Sequence, residues 1–99
     1  MAGQASISAD ILARYAADAA REVEGVRGLA ESPLPGRRGV KVSGGSGPVR
    51  VELHLTVAWG ASIPELGHGV QERVREYLRQ MADVEPAVVD VVVDEVAKP

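Results

Sequence analysis

The sequence predicts a small α+β domain in the order helix, strand, strand, helix, strand, with both helices packed on one face of a three-stranded sheet. Three observations predict it. Val49, Val51, Leu53, Leu55, Val57 and Trp59 alternate with Arg50, Glu52, His54, Thr56 and Ala58, the period of two of a strand with one buried and one wetter face. Two longer segments carry apolar residues at spacings of three and four, the stripe of an amphipathic helix. The last segment, Ala87 to Val96, holds valines on both parities, which suits a strand that is central or covered on both faces. Stacking two apolar helical stripes on one apolar sheet face is the simplest two-layer solution.

Composition narrows the class. The 99 residues suit a single domain, with a core spanning about residues 7–96. Apolar residues make up 45% and aromatic residues 3%, with no Phe, so the core is built of Val, Leu, Ile and Ala and depends on close packing of small side chains. A formal net charge of −3 gives no global attraction to nucleic acid or anionic lipid. The absence of Cys excludes disulfides, thiol chemistry and Cys-based zinc sites and is compatible with a reducing compartment. No apolar run approaches the roughly 20 residues of a membrane span, and Met1 to Ser6 does not read as a signal peptide. A cytoplasmic protein is expected, reaching a membrane only through a partner.

The chain opens with a small polar end, Met1 to Ser6. Ser8 is a good N-cap, Asp10 lies near the positive end of the helix dipole, and Ile7 and Leu12 occupy staple positions. Leu12, Tyr15, Ala16, Ala19 and Val23 form the stripe of the first helix, and Gly25 stops it. Arg27 to Arg38 reads as a loop, broken by Pro33, Pro35 and Gly36. Gly39 to Ser43 is a short strand, and Gly44 to Gly47 supplies a hairpin turn that brings the long strand back antiparallel. Pro64 suits the first turn of the second helix, whose stripe is Leu66, Val70, Val74, Tyr77, Leu78 and Met81. Gly67 and Gly69 each weaken that helix by about 1 kcal/mol relative to Ala, so either its first turn is loose or something packs close to it. The last strand is placed beside Gly39 to Ser43, in the spatial order second, first, third, and a parallel crossover through the second helix is right-handed.

The ordered set Ile7-Ser8, Val23-Glu24-Gly25-Val26, Gly39-Val40-Lys41-Val42, Val51 to Val57, Gly60, Ile63-Pro64, Val70-Gln71-Glu72-Arg73-Val74 and Val89-Asp90-Val91-Val92-Val93 resembles the alkaline shock protein (envelope stress response, Gls-type general stress) family of Gram-positive bacteria. The resemblance covers roughly residues 7–96. It departs from the family at the short basic loop Pro33 to Arg38, at Gly67-His68-Gly69, and in carrying no charged C-terminal extension. What the resemblance implies is a small non-enzymatic protein of cell-envelope homeostasis that self-assembles or is held at the inner membrane face by a membrane-anchored partner. It brings no catalytic motif and no cofactor.

Read without that resemblance, the candidate residues give little chemistry. His54 and His68 are the only histidines, and a metal site needs both to converge with carboxylates; solvated histidines are the simpler reading. Gly44-Gly45-Ser46-Gly47 matches the G-x-x-G of the KH module but joins two strands rather than two helices, which favours a hairpin turn. The serines lack a nucleophile-elbow context, and Asp90, Asp94 and Glu95 read as solvated strand positions. Arg37, Arg38, Lys41 and Arg50 are a candidate basic patch, although surface cations normally need no ligand. Trp59 and Tyr77 read as core or core rim. The leading candidate is an interaction surface of Thr56, Ala58, Val88, Val92 and Val96 on the helix-free side of the sheet, because a monomer rarely leaves such a patch uncovered and a strand edge there can accept a partner. The expected function is therefore protein–protein contact and assembly, with no cofactor and no enzymatic activity. The alternative is a small nucleic-acid-binding module of KH-like layout, opposed by the acidic balance and the lack of aromatic rings to stack on.

Overall fold

The computed structural model describes residues 8–30, 39–44 and 47–99. The expectations placed on Ile7, Arg37, Arg38 and the middle of the Gly44–Gly47 turn lie outside the described residues. The first helix, α1 (Ala9–Arg21), starts where Ser8 accepts a hydrogen bond from the Ile11 amide, satisfying one donor that the helix itself leaves unpaired. It ends earlier than the Gly25 stop suggests, capped by Glu22. Gly25 takes φ +97° in the turn that follows.

That turn leads into a strand where the sequence pattern predicts a loop. β1 (Val26–Leu29) pairs antiparallel with the C-terminal half of the long strand β3 (Arg50–Val57), while β2 (Val40–Ser43) pairs antiparallel with its N-terminal half. The sheet therefore has four strands rather than three. β1 and β2 lie end to end along one edge of β3, so the sheet is still only three strands wide. Arg27-Gly28 breaks any alternation in β1, and a register shift lies between Val26 and Gly28. Pairing with β3, rather than local pattern, makes this segment a strand. The two half-edges are joined at His54, whose carbonyl accepts from the Ala30 amide at 2.8 Å and whose amide donates to the Gly39 carbonyl at 2.7 Å.

The second helix, α2 (Ile63–Ala82), runs uninterrupted through Gly67 and Gly69. At Gly67 a Cβ would meet open space, and at Gly69 it would sit 3.6 Å from Val23 Cγ1, an ordinary contact, so packing requires neither glycine. Twenty residues of helix span about 30 Å at 1.5 Å per residue, about the length of the eight-residue β3 at 3.3 Å per residue. The helix thus carries the chain back to the start of β3, and β4 (Val88–Val96) runs parallel to β3 along its other edge. This corrects the expected order: the last strand lies beside the long strand, not beside Val40–Ser43, because among the described strands only β3 is long enough to pair along its length. Asp83 in the left-handed region ends α2, and Arg75 and Gln71 donate to the Pro86 and Val89 carbonyls, fixing the entry to β4.

Both helices cover one face. Leu12, Ala16, Ala19 and Ala20 of α1 and Leu66, Val70, Val74 and Leu78 of α2 bury against Val51, Leu53, Leu55 and Val57 of β3. Tyr15 and Tyr77 meet edge to face with ring centroids 5.9 Å apart, and Arg73 joins Tyr77 to Glu22 across the helix pair.

Candidate functional site

The opposite face of the sheet is covered by no described helix. Register gives its residues row by row. Ser43, Arg50 and Val88 form one row and Lys41, Glu52 and Asp90 the next; His54 pairs with Val92, and Gly28, Thr56 and Glu95 close the face. Valine-rich though β4 is, this face is mostly polar.

The expected apolar patch is corrected at one point. A bulge in β4 at the Leu55/Thr56 step puts Glu95 opposite Thr56 and Val96 opposite Val57. One extra residue in a strand turns everything beyond it to the other face. Val96 therefore shares the parity of the buried Val57, though it is itself 41% exposed at the end of β4. Thr56, Val88 and Val92 remain on the expected side, but charged residues separate them and they form no continuous apolar surface; Ala58 lies beyond the last paired residue, Val57. Of the expected basic patch, Lys41 lies beside Glu52 and Arg50 lies between Ser43 and Val88. Trp59, expected in the core or at its rim, is 67% exposed: regular pairing ends at Val57, the Ala58 amide donates to the Gly25 carbonyl, and strand parity no longer applies to the turn beyond.

The same face carries a cluster that the sequence pattern does not reveal. His54 Nε2 lies 2.7 Å from Glu52 Oε2, and Nδ1 lies 2.9 Å from Asp94 Oδ2. Each ring nitrogen faces a carboxylate, an arrangement that suits the imidazolium, where both nitrogens donate. The pKa of His54 is raised above 6.5, first by its hydrogen bond to Glu52, then by that to Asp94, against a smaller effect of burial. Glu52 and His54 share a face by simple alternation and are readable as neighbours. Asp94 is not, because its position beside them depends on the pairing of β4 with β3. His68 is on α2, in the helix layer, paired with Glu72 at 3.0 Å. Among the described residues no group of three His, Asp or Glu side chains is placed to hold a metal ion.

Beside this cluster runs a shallow groove of about 460 Å³, lined by Arg27, Gly28, Leu29, Ala30, Thr56, Asp94 and Glu95. Its floor is low because Gly28 has no side chain and Thr56 a short one. Arg27 stands on the β1 side, and Asp94 and Glu95 stand on the β4 side. The face carries no aromatic ring among the described residues, and the two tyrosines are spent on the helix pair. No helix of the described residues is long and apolar enough to cross a membrane.

Comparison with known proteins supplies the family and the fold. The model of the alkaline shock protein 23 family, described by a cell envelope-related function, matches residues 1–98. No curated protein matches the chain. Among solved structures, a doubly substituted MamM CTD is 16% identical with a TM-score of 0.65, covering 87% of this chain and 81% of that one. A triply substituted MamM CTD is 15% identical with a TM-score of 0.63, covering 90% and 95%. The copper form of the MamM CTD is 16% identical with a TM-score of 0.62, covering 90% and 86%. At such identities the likeness speaks for the fold alone.

Proposed function

The chain belongs to the alkaline shock protein 23 family, of cell envelope-related function, and from that premise we propose that it is a non-enzymatic module of the envelope and general stress response, working by self-assembly and by docking a membrane-anchored partner at the inner face of the cell membrane. The observation that carries the reading is the bare face of the parallel β3–β4 pair. Parallel strands are normally covered on both faces, yet here Val92 is 39% exposed and among the described residues only one face has helices over it. The contact this face supports is polar, with Val88 and Val92 as its apolar points.

Trp59 is the only tryptophan. It stands exposed at the end of β3, so its emission reports on any partner that covers this end. The test is sedimentation over a wide concentration range, together with capture of membrane-anchored proteins from a native host. Concentration-dependent association or a specific anchored partner supports the reading. A strictly monomeric particle that captures no such partner refutes it. Val92→Glu is expected to weaken association while leaving the melting temperature near wild type, because its side chain points away from the helices.

A further inference from the structure

The bare face is divided by sign along β3. In one row Lys41 stands on the β2 side of Glu52 and Asp90 on the β4 side. At the other end Arg27 lines the β1 wall of the groove while Asp94 and Glu95 line the β4 wall. Because β1 and β2 share one edge of β3, both cations fall on one lateral side, and all three carboxylates fall on the other. Among the described residues, Arg27, Lys41, Asp90 and Glu95 have no ion-pair partner within 4.0 Å, whereas Asp94 is held by His54.

A two-fold axis lying over β3 and parallel to it turns this face against itself and exchanges its two sides. Lys41 of each copy then meets Asp90 of the other, and Arg27 meets Asp94 and Glu95, each contact made twice. We propose that the helix-free face is a two-fold interface between two copies of this chain, held by the Lys41–Asp90 and Arg27–Glu95 pairings. An isologous contact requires such a self-complementary patch. Gly28, where a Cβ would meet nothing within 4 Å, leaves room for close approach over the groove. On the axis itself Arg50, Glu52 and His54 face their own copies, and His54 offsets the like charge of the two Glu52 carboxylates. Pairing of two β4 edges is the less favourable route. In the antiparallel register that sets Val88 opposite Val96 of the second copy, Asp90 falls opposite Asp94, a like-charge pair directly across the strands. The proposal rests on the interaction-module reading and adds the occupant and its symmetry.

The test is a charge exchange on the full chain. Lys41→Glu sets a carboxylate against Asp90 of the second copy, and Asp90→Lys sets an ammonium group against Lys41 of the second copy; each creates two like-charge contacts. Starting from a net charge of −3, both variants stay net negative, so bulk attraction cannot bring them together. Both side chains are exposed, and thermal melts confirm that each variant folds. Wild type is expected to reach a mass of two chains and stop there. Each variant alone is expected to dimerise at least about tenfold more weakly, and an equimolar mixture to recover dimer, because the exchanged charges again oppose each other. Variants that dimerise like wild type, a mixture that stays monomeric, or growth beyond two chains overturns the proposal. A monomeric wild type that still captures a membrane-anchored partner overturns the dimer while leaving the interaction module standing.

Discussion

Gly39→Ala is expected to destabilise the protein by about 2–4 kcal/mol, and the figure follows from local geometry. Gly39 has φ +72°, and a Cβ there would lie 2.7 Å from the Ala30 carbonyl oxygen and 2.8 Å from that of His54. The left-handed backbone alone costs an alanine about 1–2 kcal/mol. Both obstructing atoms are backbone, so they cannot rotate aside as a side chain would. Relief requires shifting the strand ends, which weakens the Ala30-to-His54 and His54-to-Gly39 hydrogen bonds, each worth about 1 kcal/mol. Against a stability of about 5–15 kcal/mol for a domain of this size, the melting temperature is expected to fall by roughly 10–20 °C. The assay is thermal unfolding by circular dichroism, with amide exchange at Ala30 and His54 to show that the loss begins at the join between β1 and β2. An alanine variant that melts within a degree or two of wild type refutes the end-to-end placement of these strands, and with it the gathering of Arg27 and Lys41 on one side of β3.

Two further expectations follow from single positions. Gly67→Ala adds a Cβ into open space within α2 and should stabilise the protein by about 0.5–1 kcal/mol; a lower melting point would show that this turn of α2 packs against something. Because the pKa of His54 is raised in the folded state, its contribution to stability is fully present below about 6.5, the unfolded value, and is lost as pH rises through the folded value. Wild type should therefore lose melting temperature between about pH 6.5 and the folded pKa of His54, and His54→Gln should abolish that decline. An imidazole that titrates at or below its ordinary value by NMR would contradict the clamp.

The parts of the fold legible in the sequence are those whose pattern is local. The alternation of Val51 to Val57 and the stripes of α1 and α2 have one geometrical reading each, and they set the core, the two-layer architecture and the helix-free face. The illegible parts depend on pairing between distant segments. Val26-Arg27-Gly28-Leu29 contains nothing that marks a strand until β3 presents an edge to it. The neighbour of β4 is not encoded locally, because valines on both parities say that a strand is well covered, not which strand covers it. Trp59 reads as buried only when parity is carried two residues beyond the end of β3.

The bulge in β4 is the sharpest case, because one residue of slippage takes Val96 out of the expected site and puts a carboxylate in its place. Without it, Val96 would lie with Val88 and Val92 on the bare face, as the regular alternation predicts. With it, Glu95 joins Asp94 beside Thr56 on that face, and the end of β4 gains a second carboxylate in place of the expected valine. Asp94 reaches His54 by simple alternation from Val92, and the bulge brings Glu95 to the wall of the groove opposite Arg27. The strand is acidic where an exposed edge would otherwise invite another β4, which is how edges are commonly protected. The same carboxylates face a row of cations across β3. Strand edge and sheet face are the two routes by which this chain could associate, and the exchange of Lys41 and Asp90 charges tells them apart.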